Sequence, residues 1–147
     1  MEAVINHQSD KIFGNCDKVI DEAFELVLYN LHQNGILKDD EHVYINIYGD
    51  DTAKSGSSLS LAIYASVLAK VKGLKINDCV FSAELNLNSE VGPVGQLHLK
   101  LKAAKMMNLK RVFIAKANHP ELNNYLDDYK GLEIIVLENV KELEKYL

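Results

Sequence analysis

Residues 50–61 read Asp-Asp-Thr-Ala-Lys-Ser-Gly-Ser-Ser-Leu-Ser-Leu, with four serines and one glycine within residues 55–60. A small-residue loop feeding a helix presents free backbone N–H groups and the positive end of a helix dipole. Such a place can hold an anion or a developing oxyanion beside a serine hydroxyl. The plainer reading of the same residues is an N-cap, Ser55 or Ser57, with its neighbours kept small for packing. The second residue able to do chemistry is Lys100. On a wheel of about 100° per residue, residues 97–109 give an apolar arc of Leu97, Leu99, Leu101, Ala103, Ala104, Met106 and Met107. Lys100 falls near the middle of that arc, while His98, Lys102 and Lys105 gather on the opposite side. A lysine so placed either runs its stem along the core to an edge or is buried. In the second case desolvation lowers its pKa until the neutral amine can act as a general base.

Several elements must position these groups. Residues 43–48 alternate apolar and polar and predict a half-buried strand ahead of the serine loop. Residues 59–71 are apolar on nearly every face and predict a buried helix, ended at Lys72-Gly73. Upstream, the pattern predicts a short strand over 3–5, a turn at Gly14-Asn15, and a helix over 17–33. Asp17 caps that helix and Asn34-Gly35 stops it. Residues 38–41 form a charged loop. Residues 79–87 and 90–95, broken at Asn88-Ser89, predict a hairpin whose exit is bent by Gly92, Pro93 and Gly95. A strand over 111–115, a short helix over 120–126, a strand over 133–137 and a closing helix over 138–147 complete the chain. The second half alternates strand and helix, so the expected class is α/β or α+β with a mixed sheet.

Composition narrows the function classes. The 147 residues fit one domain, and 48 % hydrophobic with 25 % charged residues is ordinary for a globular protein. A net charge of −5 argues against nucleic acid and anionic membrane as partners. No apolar run reaches membrane-spanning length, and residues 1–10 are too polar for a signal peptide. Cys16 and Cys79 read as reduced thiols of a cytoplasmic protein, being too few for a disulfide scaffold. The five histidines show no ligand spacing, so neither a metal nor another cofactor is expected.

From about residue 14 to residue 147 the chain resembles the C-terminal proteolytic domain of Lon-type ATP-dependent proteases, which use a Ser-Lys dyad. Ala53-Lys54-Ser55-Gly56-Ser57-Ser58-Leu59-Ser60 is similar to that family's nucleophile segment, Pro-Lys-Asp-Gly-Pro-Ser-Ala-Gly. Ser82-Ala83-Glu84-Leu85 through Gly95-Gln96-Leu97-His98-Leu99-Lys100 is similar to its block from Thr-Gly-Glu-Ile to Gly-Gly-Leu-Lys-Glu-Lys. The resemblance implies a Lon proteolytic domain-like fold: an α/β (α+β), ribosomal protein S5 domain 2-like architecture with a mixed sheet and flanking helices. It implies a serine endopeptidase with Ser58 as nucleophile, Lys100 as general base and Ser82 orienting Lys100. Backbone N–H groups of Ser57 and Ser58 would form the oxyanion hole, and Lys54 and Glu84 would border the substrate groove. The implied partners are polypeptide substrates, further copies in a homo-oligomeric ring of the hexamer type, and an ATPase domain or subunit. No ATPase module accompanies these residues, which implies a free-standing domain or a fragment of a longer protein.

The departures from the family pattern are specific. Ser55, Ser57, Leu59 and Ser60 stand where the family has Asp, Pro, Ala and Gly, and Leu59 is large enough to narrow the site or shift the backbone. Ser82 keeps the hydroxyl of the family's Thr, Ala83 replaces its Gly, and His98 replaces its first Lys. Two alternatives follow. One is a non-catalytic Lon-like module that serves in assembly or ring formation. The other starts from Gly56–Ser60, which also resembles the phosphate loop of galactokinase- and homoserine kinase-type enzymes, although this chain is too short for their second half.

Overall fold

Two three-stranded sheets share one buried helix, and a two-stranded pair stands beside them. The computed structural model describes residues 1–49 and 56–147. The first sheet holds β1 (Glu2–Asn6), β2 (Lys11–Phe13) and β3 (His42–Asn46) in the order β1-β3-β2. Strand β1 runs antiparallel and β2 parallel to β3. Helix α1 (Lys18–Gln33) follows β2; the Asp17 carboxylate caps it by accepting from the Ile20 N–H, satisfying one of the otherwise orphaned first-turn donors. Asn34 and then Gly35, at φ +68°, end the helix. The expected strand over 43–48 forms as β3 and stops at Asn46, and Tyr48 is exposed. Strand β2 has only three residues, too few to reveal a period.

Helix α2 (Ser60–Lys72) buries Leu61, Ile63, Tyr64, Ala65, Val67 and Leu68. A helix apolar all round must lie between layers, and α2 packs against α1, β1 and β4 (Cys79–Ser82). Gly73 ends it in the left-handed conformation at φ +67°, which is strained for residues that carry a side chain.

The expected hairpin over 79–95 does not form as one unit. Strand β4 instead pairs in parallel with β7 (Arg111–Ala115), and only β5 (Glu84–Leu85) and β6 (Val91–Gly92) make an antiparallel pair. The division falls at Ala83, whose carbonyl accepts the Leu61 N–H at 3.2 Å and so belongs to the start of α2. Strand β8 (Glu133–Leu137) pairs in parallel with β7, giving the order β4-β7-β8. Alternate residues of these strands face opposite ways. Phe113, Ala115, Ile135 and Leu137 join the core around α2, whereas Val112 and Ile114 pack against helix α3 (Leu97–Met106).

The two expected helices of the last third are 3₁₀ turns. Pro120 lies inside Lys116–Leu122, where its missing N–H prevents an α-helical ladder. A second turn spans Leu126–Tyr129. The closing segment Val140–Tyr146 is capped by Asn139 and Glu142, each binding the other's backbone or turn. Among the described residues no helix is long and apolar enough to cross a membrane.

The β5–β6 hairpin is tied to α1 by a buried polar cluster. Asn30 donates to the carbonyls of Leu26 and Asn86, both at 3.0 Å, and accepts from the Ser89 hydroxyl at 2.6 Å. Asn34 donates to the hydroxyls of Ser89 and Tyr64. Replacing Asn30 by Ala leaves Ser89 and Asn86 without their buried partner. The Asn30→Ala variant is expected to lose about 1–3 kcal/mol, seen as a lower urea midpoint with an unchanged slope.

Candidate functional site

The site is built where α2 begins. Gly56 enters at φ +111°, a conformation that glycine adopts without strain. It leads into a 3₁₀ turn, Ser57–Leu59, and then directly into α2. The buried Ser60 locks this turn, its own N–H and its hydroxyl both donating to the Ser57 carbonyl, the latter at 2.6 Å. Leu59 packs against the main core, so the large residue beside Ser58 anchors the turn from within. Among the described residues no serine side chain caps the helix: Leu59 occupies the α2 N-cap position and Gly56 that of the 3₁₀ turn. The Ser57 hydroxyl instead donates a short hydrogen bond to the Glu84 carboxylate. Ser55 and Lys54 lie outside the described residues.

Ser58 is half-buried and its Oγ lies over Gly56, 3.8 Å from where a Cβ there would stand. Among the described residues, the backbone N–H groups of Ser57 and Ser58 have no backbone acceptor, as the first donors of a helix must. They are the donors the sequence points to for an oxyanion. Strand β4 delivers Ser82 to the same end of α2. Ser82 is buried and paired with Ile114, and no hydrogen bond joins it to Lys100 among the described residues. Glu84, two residues on, is exposed, and its cross-strand partner is Gly92. A Cβ at position 92 would stand in ordinary contact with the Glu84 Cβ, at 3.7 Å.

Lys100 comes from α3, whose apolar arc is narrower than the wheel predicts. Leu97, Leu101 and Ala104 are buried, whereas Leu99, Met106 and Met107 are 59 %, 76 % and 70 % exposed. The sheet covers only one stripe of this helix, and Lys100 sits at its edge, half-buried. Burial lowers the Lys100 pKa from its ordinary value, and the Glu84 carboxylate opposes that shift. Glu84 thus bonds Ser57 and acts electrostatically on Lys100, linking the serine turn to the amine.

Sequence reasoning missed Asn118. Its amide accepts from the Val94 N–H and donates to the Val94 carbonyl, both at 2.9 Å. This buried clamp fixes the loop that turns through Gln96, at φ +54°, into α3 and therefore sets where Lys100 lies. A lone Asn in a polar stretch carries no periodic signal. Among the described residues, no group of His, Cys, Asp and Glu is arranged to hold a metal ion.

The chain matches the family model described as subunit ChlI of Mg-chelatase over residues 2–118. It is 29 % identical over 120 residues to the Lon protease of Lachnoclostridium phytofermentans, covering 80 % of this chain and 15 % of the relative. For the Lon protease of Azospirillum brasilense the identity is 32 % over 106 residues, covering 71 % and 13 %. For Lon protease 2 of Bacillus subtilis it is 30 % over 122 residues, covering 82 % and 21 %. The chain therefore spans at most about a fifth of the length of these curated relatives.

The coupling of Glu84 to Lys100 is open to a direct check. Removing the carboxylate charge removes the influence that favours the ammonium, while the burial that disfavours it remains. In Glu84→Gln the Lys100 ε-methylene resonance is expected to titrate at lower pH than in the parent protein.

Proposed function

Because the chain belongs to the family described as subunit ChlI of Mg-chelatase and has relatives named Lon protease, we propose that it is a Lon-like serine endopeptidase domain. Ser58 is the nucleophile and Lys100 the general base. The observation that carries this reading is that Glu84 accepts a hydrogen bond from the serine turn and acts electrostatically on Lys100, whose pKa burial lowers.

The reaction follows from those groups. The Ser58 oxygen attacks the carbonyl carbon of a peptide bond as its proton passes to the Lys100 amine. The carbonyl oxygen takes up the negative charge, and the N–H groups of Ser57 and Ser58 receive it. When the intermediate collapses, the C–N bond breaks and Lys100 returns the proton to the leaving amine. Water then attacks the acyl-serine by the same path, its proton going to Lys100 and on to the Ser58 oxygen. Ser82, buried on β4 beside the start of α2, stands on the serine side of the site, and Glu84 borders the groove for an extended polypeptide, the role the resemblance also implies for Lys54. Further copies of the chain and an ATPase domain or subunit are the partners in this reading. The sequence contains no Gly-Lys pair, hence no G-x-x-x-x-G-K-S/T phosphate loop, so energy from nucleotide would have to come from such a partner.

A second reading is favoured by the family description, which names a chelatase subunit and no peptidase. Here the domain serves assembly without cleaving, and Ser58 and Lys100 are dispensable. Hydrolysis of unfolded casein by the parent protein, Ser58→Ala and Lys100→Ala separates the two. The peptidase reading expects losses of about 10³-fold or more in both variants, with native-like circular dichroism. It also expects kcat/KM of the parent to rise with pH and level off below 10.5, the ordinary lysine value. Lack of cleavage by the parent, with unchanged oligomeric mass in all three proteins, would support the assembly reading.

A further inference from the structure

On the far side of α3 from Lys100 lies a second basic site. His98, Lys102 and Lys105 leave the helix on one face, as their spacing requires. The 3₁₀ turn Leu126–Tyr129 stands opposite them. Between the two is a cavity of about 470 Å³ lined by His98, Lys102, Lys105, Met106, Asp128 and Tyr129, within the usual size of small-molecule sites. We propose that this cavity binds a small organic anion, a phosphate or carboxylate carried on a ring-sized apolar body.

Each wall supplies part of that recognition. Two ammonium groups face one carboxylate, Asp128. The lysine ion pairs of the described residues involve Lys18, Lys72, Lys116 and Lys130, so Lys102 and Lys105 keep their charge for a ligand. Lys105 is steered into place by its bond to the Asp128 backbone carbonyl at 2.5 Å. The Tyr129 ring is buried, and its hydroxyl forms a short hydrogen bond with His98 Nδ1. Burial, Asp128 and Tyr125 all raise the Tyr129 pKa, so it remains a phenol and donates. With the Tyr129 hydroxyl donating, His98 accepts at Nδ1 and the ring's remaining donor is Nε2–H, beside the two ammonium groups. Tyr125 packs its ring on His98 with centroids 4.5 Å apart, which holds the imidazole in place. The Tyr129 ring and the Met106 thioether provide the apolar wall. Such a mixed wall rewards an anion attached to a flat body over a bare anion, because the ring covers surface that a hydrated ion leaves wet. The chain as a whole is acidic, with a net charge of −5, so attraction to this cavity is local.

The test is a titration of the full chain at constant ionic strength, read from the imidazole resonances of His98. The probes are phenyl phosphate, benzoate, inorganic phosphate and the neutral benzyl alcohol. Saturable shifts with phenyl phosphate or benzoate are expected, weakened roughly ten-fold or more in the Lys102→Gln/Lys105→Gln double variant. Tighter phenyl phosphate would assign the phosphate source, and tighter benzoate the carboxylate source. Both lysines are exposed, so the double variant is expected to fold, and Tyr129→Phe provides a second variant that keeps the apolar wall and loses the bond to His98. The proposal is overturned if neither aromatic anion gives a saturable shift, if the double variant binds undiminished, or if benzyl alcohol binds equally well. Inorganic phosphate binding as tightly as phenyl phosphate would likewise remove the apolar body from it.

Discussion

Everything in this structure depends on where the N-terminus of α2 is held. The helix is buried along most of its length and exposes only its last turn, Lys70 to Lys72, so it packs against α1, β1 and β4 together, and its first turn meets the crossing between β4 and β5. The hydrogen bond from the Leu61 N–H to the Ala83 carbonyl marks that meeting. It satisfies a donor that a helix start otherwise leaves orphaned. It also brings the serine turn, on one strand of chain, beside Ser82 and Glu84 on another.

The electrostatic balance at this crossing is a consequence of the same packing. Lys100 lies at the rim of a buried stripe, so its amine is partly desolvated, which lowers its pKa, while the Glu84 carboxylate opposes that shift. Full burial would leave an unpaired charge of high cost, and full exposure would remove the desolvation that lowers the pKa. The rim position lies between these, and it exists because β7 covers α3 along Leu97, Leu101 and Ala104 alone. The opposite face of α3 is released from the core for the same reason, which exposes His98, Lys102 and Lys105 to the 3₁₀ turn across from them.

The residues around Ser58 show how a local departure can be absorbed. Leu59, larger than the alanine of the pattern it resembles, turns into the core and is half-buried there. Ser57 and Ser60 use their hydroxyls for Glu84 and for the Ser57 carbonyl. These contacts hold a tight turn by hydrogen bonds where the pattern it resembles has proline and glycine, which act through backbone preference.

Much of the fold was legible because it rests on short-range rules. The Asp17 cap, the Asn34-Gly35 and Gly73 stops, and the strands over 111–115 and 133–137 follow from local chemistry and periodicity. The failures share a cause. The run over 79–95 has the alternation of a hairpin, yet its first half pairs with β7, some thirty residues away in sequence, and pairing partners leave no mark in a strand's own period. The wheel of α3 counted Leu99, Met106 and Met107 as core because hydrophobicity alone does not say how wide a surface a neighbouring sheet covers. The sequence by itself determined the residue types of the candidate pair, Ser58 and Lys100, and the elements that bear them, since these depend on side chains and on spacing along one helix or strand. Only the tertiary structure decided that Glu84 joins Ser57 and acts on Lys100, and that Asn118 clamps the approach to α3. Hydrogen bonding and Coulomb interaction act across space, between groups brought together by burial.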